Sequence, residues 1–194
     1  MVLWRRILVL GALATAVLII SCGSSATSSA VTIATNPTPA QAVYTPLTIE
    51  SCTTTTGSDS DIGVGQISIT YNEAPSRAIT LNQHATEIML ALGLEDRMVG
   101  TAYIDDQILP QYLTAYNSIP ILAEEYPSKE VILAQEPDFV YGGFSSSFGN
   151  DVAGSQDALK ELGIGSYLTA AICEESADTL EDVYTDIRNI GQIF

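Results

Sequence analysis

RAITLNQHATEIMLALGLEDRMVGTAY (residues 77–103) and YPSKEVILAQEPDFVYGGFSSSF (residues 126–148) are the two stretches that decide the fold. Ala78–Leu81 is a short apolar run ending at Asn82, a residue suited to leaving a strand. Ala85, Ile88, Met89 and Leu92 then fall on one face of a helix, and Gly93 supplies its stop. Met98–Thr101 reads as a second strand. Ser128 is placed to cap a helix carrying Val131, Ile132 and Leu133, which ends at Pro137. Phe139–Tyr141 reads as a third strand, running into the loop Gly142-Gly143-Phe144-Ser145-Ser146-Ser147. Strand–helix–strand alternation predicts an α/β fold with a parallel sheet flanked by helices. Ligands of such sheets sit at the carboxyl ends of strands. Here those ends are Asn82–Thr86, Ala102–Asp106 and Gly142–Phe148.

Working outward, Leu109, Tyr112, Leu113 and Tyr116 share a helical face, and Ile119–Leu122 reads as a short strand. Ala158, Leu159 and Leu162 make a helix that Gly163 stops, and Ser166–Leu168 is a further strand. Thr179-Leu180-Glu181-Asp182 has the form of a capping box with Asp in the acidic position. It opens a helix with Leu180, Val183, Tyr184, Ile187 and Ile190 at helical spacing. Upstream, Ile67–Tyr71 reads as a strand with Ile67 and Ile69 on one face. Residues 23–65 are rich in Ser, Thr, Gly, Ala and Pro, and this composition predicts a flexible tether.

Residues 1–22 begin with the basic pair Arg5-Arg6, followed by the apolar run Ile7–Ile20. That run is short for a membrane span, and its basic-then-apolar order is that of an export signal. Ile19-Ile20-Ser21-Cys22 resembles the lipobox of bacterial lipoproteins, which makes Cys22 the lipid-bearing residue and a lipid anchor the expected link to the membrane. The alternatives are an ordinary signal peptide or an uncleaved anchor with Cys22 incidental. Cys52 and Cys173 remain, an even count in an exported chain, so a Cys52–Cys173 disulfide is expected, with two free or buried thiols as the alternative.

The chain holds 7 Lys and Arg against 23 Asp and Glu, and Arg5 and Arg6 lie in the leader. That balance disfavours nucleic-acid binding, which needs a basic footprint. It fits a solvated acidic surface or attraction of a cationic ligand or basic partner. There is no G-x-S-x-G elbow, no H-E-x-x-H and no phosphate loop, so no enzyme activity is expected. A single His and few soft ligands leave no metal site or cofactor to expect.

The segments 77–94, 97–103 and 126–143 resemble, in order and spacing, the N-terminal lobe of substrate-binding proteins of ABC importers in the ferric siderophore and cobalamin class. The resemblance covers roughly residues 66–194. It implies a Rossmann-like lobe at 66–178, a small opening hairpin, and the start of an interlobe helix at 179–194 with the second lobe missing. It also implies capture of a ferric siderophore or corrinoid ligand and delivery to ABC permease subunits. Alternatives are a surface interaction or adhesion lipoprotein, or a non-functional fragment of such a receptor. A lone lobe is expected to bind weakly and to bare apolar surface on the last helix at Val183, Ile187 and Ile190.

The expected ligand-binding residues are Asn82, His84, Tyr103, Gly142, Gly143, Phe144 and Ser145. His84 is otherwise a surface or supporting residue beside a helix start, and Tyr103 otherwise a packing ring. The Gly142 loop offers close backbone approach, one ring and three hydroxyls, or is an ordinary polar turn. By resemblance, Glu130 makes a salt bridge to an Arg of the permease. A Glu in that first turn also offsets the helix dipole. Asp105, Asp106, Glu124 and Glu125 are candidates for the rim of the cleft.

Overall fold

The computed structural model describes residues 44–54, 64–173 and 179–194; the leader, Cys22 and most of the expected tether lie outside these. Five short strands form one parallel sheet in the order β5-β4-β3-β6-β7: β3 (Ala78–Leu81), β4 (Met98–Ala102), β5 (Ile121–Ala123), β6 (Phe139–Gly142) and β7 (Gly165–Leu168). The chain steps outward from β3 to β5, then returns to lay β6 on the other side of β3. The order therefore reverses between β3 and β6, and a crevice opens at their carboxyl ends.

Period-two alternation explains why both faces are covered. On β6, Phe139 and Tyr141 join one core cluster and Val140 the other; on β3, Ala78 and Ile79 divide in the same way. Helices α1 (Gln83–Ala91) and α5 (Leu180–Ile193) bury Ala85, Met89, Ile190 and Ile193 on the first face. Helices α3 (Lys129–Leu133) and α4 (Gln156–Glu161) bury Ile132 and Leu159 on the second. Pro110–Tyr112 makes a tight turn before the four-residue α2 (Leu113–Tyr116). Its expected apolar face is only partly used, since Leu109 and Leu113 stay exposed.

An antiparallel hairpin, β1 (Leu47–Thr54) with β2 (Val64–Tyr71), packs against the lobe. The expected tether therefore ends earlier than 65. LTIESCTT looks polar, but its Thr are β-branched and Ile49 pairs with Ile69 to bury an apolar face. The hairpin is fastened by the Cys52–Cys173 disulfide, with the two Cα atoms 5.3 Å apart, and by Tyr71, whose hydroxyl donates to the Ser166 carbonyl at 2.8 Å.

Two further expectations change in the folded chain. Ser128 occupies the N-cap of α3 without a side-chain capping bond. On α5, Val183 and Ile187 are exposed as expected, but Ile190 is fully buried. Helix α5 starts beside the carboxyl ends of the strands and runs back along the lobe, so that Phe194 packs edge-on against Phe139 at the opposite end, with centroids 5.2 Å apart. Its capping box is present: the Thr179 hydroxyl accepts from the Asp182 N–H, while the Asp182 carboxylate accepts from the Thr179 N–H.

Candidate functional site

Three strand ends meet at the crevice. β3 ends at Asn82, whose backbone sits at φ 84°, ψ 151°, a region nearly reserved for glycine. β4 is followed directly by Tyr103, also at positive φ, 59°. Two consecutive strands of the sheet thus close on a left-handed non-glycine residue, and both side chains line the same cleft. Strain of this kind persists only where the surroundings enforce it. The enforcement at Asn82 is visible: its N–H donates to the Ala102 carbonyl at 3.0 Å, and its carbonyl accepts from the Thr86 N–H and hydroxyl. Below it, the buried hydroxyls of Thr80, Thr86 and Thr101 form a triangle with edges of 2.8–3.0 Å that ties the first turn of α1 to β3 and β4.

The cleft has a volume of about 570 Å³, within the usual range for small-molecule sites. One wall is aromatic. Tyr103 and Tyr126 lie with ring centroids 4.6 Å apart and Phe144 projects from the third strand end, 47% exposed. The floor is polar. Asn82 Oδ1 accepts from the hydroxyls of Tyr126 (3.1 Å) and Ser147 (2.9 Å), and Tyr126 also bonds Ser146 at 3.0 Å. The rim carries Asp105, Glu125 and Asp151.

The glycines have a structural task. A Cβ on Gly142 would fall 2.7 Å from Ser147 and 2.6 Å from the Phe148 ring, and one on Gly143 would fall 2.5 Å from the His84 ring nitrogen and 2.8 Å from Asn82 Cβ. Both are buried. They admit the serine loop and His84 against the strand end, and neither lines the main cleft. His84 Nε2 donates to the Gly143 carbonyl at 3.1 Å, and its ring meets Phe144 edge-on at 5.2 Å. Burial lowers the His84 pKa below the ordinary 6.5, against the opposing pull of that hydrogen bond and of Asp105.

His84 faces a second depression of about 470 Å³, mainly apolar, formed by Ile88, Tyr112, Ile172, Val183 and Ile187 among others. Phe144 lines both depressions and is the partition between them. Of the expected site residues, the fold brings Asn82, Tyr103 and Phe144 into one cleft. It sets His84 and Gly143 on the apolar side and leaves Gly142 and Ser145 out of both. Sequence reasoning missed Tyr126, Ser146 and Asp151. Tyr126 follows a strand of only three residues, a weak periodic signal, and Asp151 lies in a loop with none. Glu130 is exposed on α3, away from both depressions, and its carboxylate is held below its ordinary pKa chiefly by its own backbone N–H, then by Ser128.

Among the described residues no group of three or more His, Cys, Asp or Glu forms a metal-ligand set, and no helix is long and apolar enough to cross a membrane. No family model and no curated protein matches the sequence. Solved structures do match it. A periplasmic binding protein from Veillonella parvula superposes at TM-score 0.64 with 28% identity, over 76% of this chain and 47% of that one. A protein described as an ABC-type Fe3+-hydroxamate transport system from Saccharomonospora viridis superposes at TM-score 0.51 with 30% identity, over 66% of this chain and 46% of that one. The lobe therefore has a periplasmic binding protein fold, and the chain spans about half the length of the structures it matches.

Proposed function

We propose that this chain supplies the ligand-receiving lobe of an extracytoplasmic, lipid-anchored solute-binding protein of an ABC importer. It captures an iron–siderophore or corrinoid-like ligand and presents it to the permease. The observation that carries the reading is the aromatic cleft at the strand carboxyl ends. Tyr103, Tyr126 and Phe144 stand over a hydrogen-bonded floor on a lobe whose fold is that of periplasmic binding proteins. Rings of this kind hold large, partly apolar chelates through area burial and stacking. The mechanism is capture and docking, with no bond made or broken; the neighbours named above are a periplasmic binding protein and an ABC-type transport system, in keeping with a non-enzyme.

Two further elements belong to the proposal. Cys22 is the lipidated N-terminus of the processed chain, joined to the lobe by the Ser/Thr-rich segment that precedes β1. Glu130, exposed and ionised at the start of α3, pairs with an arginine of the permease. Mass spectrometry of the processed N-terminus tests the first. A charge-reversal pair, Glu130→Arg with an acidic substitution in the permease, tests the second.

The decisive experiment is calorimetry of the purified chain against a panel of ferric chelates and corrinoids. Binding is expected to be modest, because one open face leaves much of a ligand in water, and to fall at least about tenfold, or 1.4 kcal/mol, in Tyr103→Ala. Tight nanomolar binding unchanged by Tyr103→Ala would show that the cleft is not the site. Failure of the whole panel to bind would remove the reading.

A further inference from the structure

The lining of the cleft is charged on one side only. Asp105, Glu125 and Asp151 stand on its rim, and among the described residues no Lys, Arg or His lines it. Four of the basic residues among the described ones are engaged elsewhere. Arg77 is held by the carbonyls of Gln135 and Glu136, and Arg97 reaches the Pro75 carbonyl. Lys160 donates to the Ser68 carbonyl on the hairpin, and Arg188 pairs with Glu181 on α5. Lys129 bonds the Asp151 carbonyl through its backbone N–H, but it does not line the cleft, and its side chain lies over Gly154. His84 sits outside the cleft, and burial favours its neutral form.

A second observation points the same way. Asn82 is 2% exposed yet lines the cleft; its Oδ1 is taken by Tyr126 and Ser147, while its amide nitrogen donates to no group among the described residues. An amide donor without a protein partner, on a residue that lines a ligand space, suits a neutral carbonyl-type acceptor. Such a donor is too weak to offset the repulsion that three carboxylates exert on a multiply charged anion.

Resting on the function proposed above, we infer that the cleft selects its ligand by charge: it takes neutral or cationic chelates, with amide or hydroxamate-type carbonyl oxygens, and rejects polyanionic ones. Aromatic faces add to the attraction for a cationic arm. In water, a unit charge at contact distance from one carboxylate shifts binding about fivefold, and added salt screens that shift.

The test uses ligands that share one core and differ only in charge. A linear ferric trishydroxamate with a free terminal amine is cationic, its N-acetyl form is neutral and its N-succinyl form is anionic. The aquo, cyano and dicyano forms of a corrinoid give a parallel series. Affinity measured at low salt should fall about fivefold or more at each step from cation to anion. The spread should shrink at high salt and collapse in Asp105→Asn/Glu125→Gln/Asp151→Asn. Equal affinity along a series that binds, or tightest binding of the anion, would overturn the charge rule and leave the receptor reading intact. Failure of both series to bind would remove both. Should the triple variant not fold, the salt series on the unaltered chain still decides.

Discussion

Tyr126 donates its phenol hydroxyl to Asn82 Oδ1 at 3.1 Å, joining the loop after β5 to the residue that ends β3. Between those strands lies β4, so Tyr126 reaches over the end of β4, and its ring meets Tyr103 on the way at 4.6 Å. One side chain thus ties together the three strand ends on this side of the crevice. With Ser147 bonding the same Asn82 oxygen from beyond β6, the floor of the cleft is a single network.

Asn82 is the centre of that network, and it occupies a backbone region that suits glycine. Asn82→Ala keeps the strain and removes the acceptor for two hydroxyls. It should destabilise the lobe by about 2–4 kcal/mol in urea unfolding. Asn82→Gly also loses the acceptor but relieves about 1–3 kcal/mol of backbone strain. The glycine variant should therefore be the more stable of the two, and the opposite order would refute the strain argument.

Gly143→Ala places a methyl group against the His84 ring and Asn82 Cβ. The expected loss is about 1–3 kcal/mol by overpacking. His84→Ala in the same chain removes one of the two obstacles. The double variant should thus recover part of the loss, and a thermodynamic cycle over the four proteins measures the coupling.

Asp186 is buried beside the carboxyl end of β7, accepting from the Tyr167 hydroxyl and the Ala170 N–H, each at 2.8 Å. Burial, opposed by those two donors, raises its pKa from 3.8 to about 6. Between these values the folded chain holds more protons than the unfolded one, so this group's contribution to stability falls as pH rises from about 4 through 6. Asp186→Asn should raise the melting temperature relative to the parent at pH 7.5 and have little effect at pH 4. Equal effects at the two pH values would contradict the buried-carboxylate account.

The Cys52–Cys173 bridge spans 121 residues. In the chain-entropy model a loop of that length is worth about 5 kcal/mol. Replacing both residues by Ala should lower stability by several kcal/mol and loosen the β1–β2 hairpin first, because Cys52 sits on it. Hydrogen exchange in residues 47–54 should rise more than in β3 or β6. Uniform exchange across the lobe would show that the bridge does not hold the hairpin.

The sheet strands and most of the helices were legible because their signals are local. Ala78–Leu81 and Phe139–Tyr141 are apolar runs with clear stops, α1 has its apolar residues at helical spacing, and Thr179 carries its own capping partner three residues on. The Cys52–Cys173 pairing was also legible, from the residue count and the expectation that the chain is exported. The candidate site was legible only in part. That a cleft would open at strand ends followed from the alternation of elements, and Asn82, Tyr103 and Phe144 line it. Only the tertiary structure decided that Gly142 and Gly143 admit the serine loop and His84 against the strand end, that His84 looks into a separate apolar depression, and that Ile190 is buried. It also showed that LTIESCTT is a strand and that Tyr126 completes the aromatic wall. The reason is physical. Periodicity reports which face of an element is apolar, but the order β5-β4-β3-β6-β7 sets which loops become neighbours, and that order is a property of the whole chain.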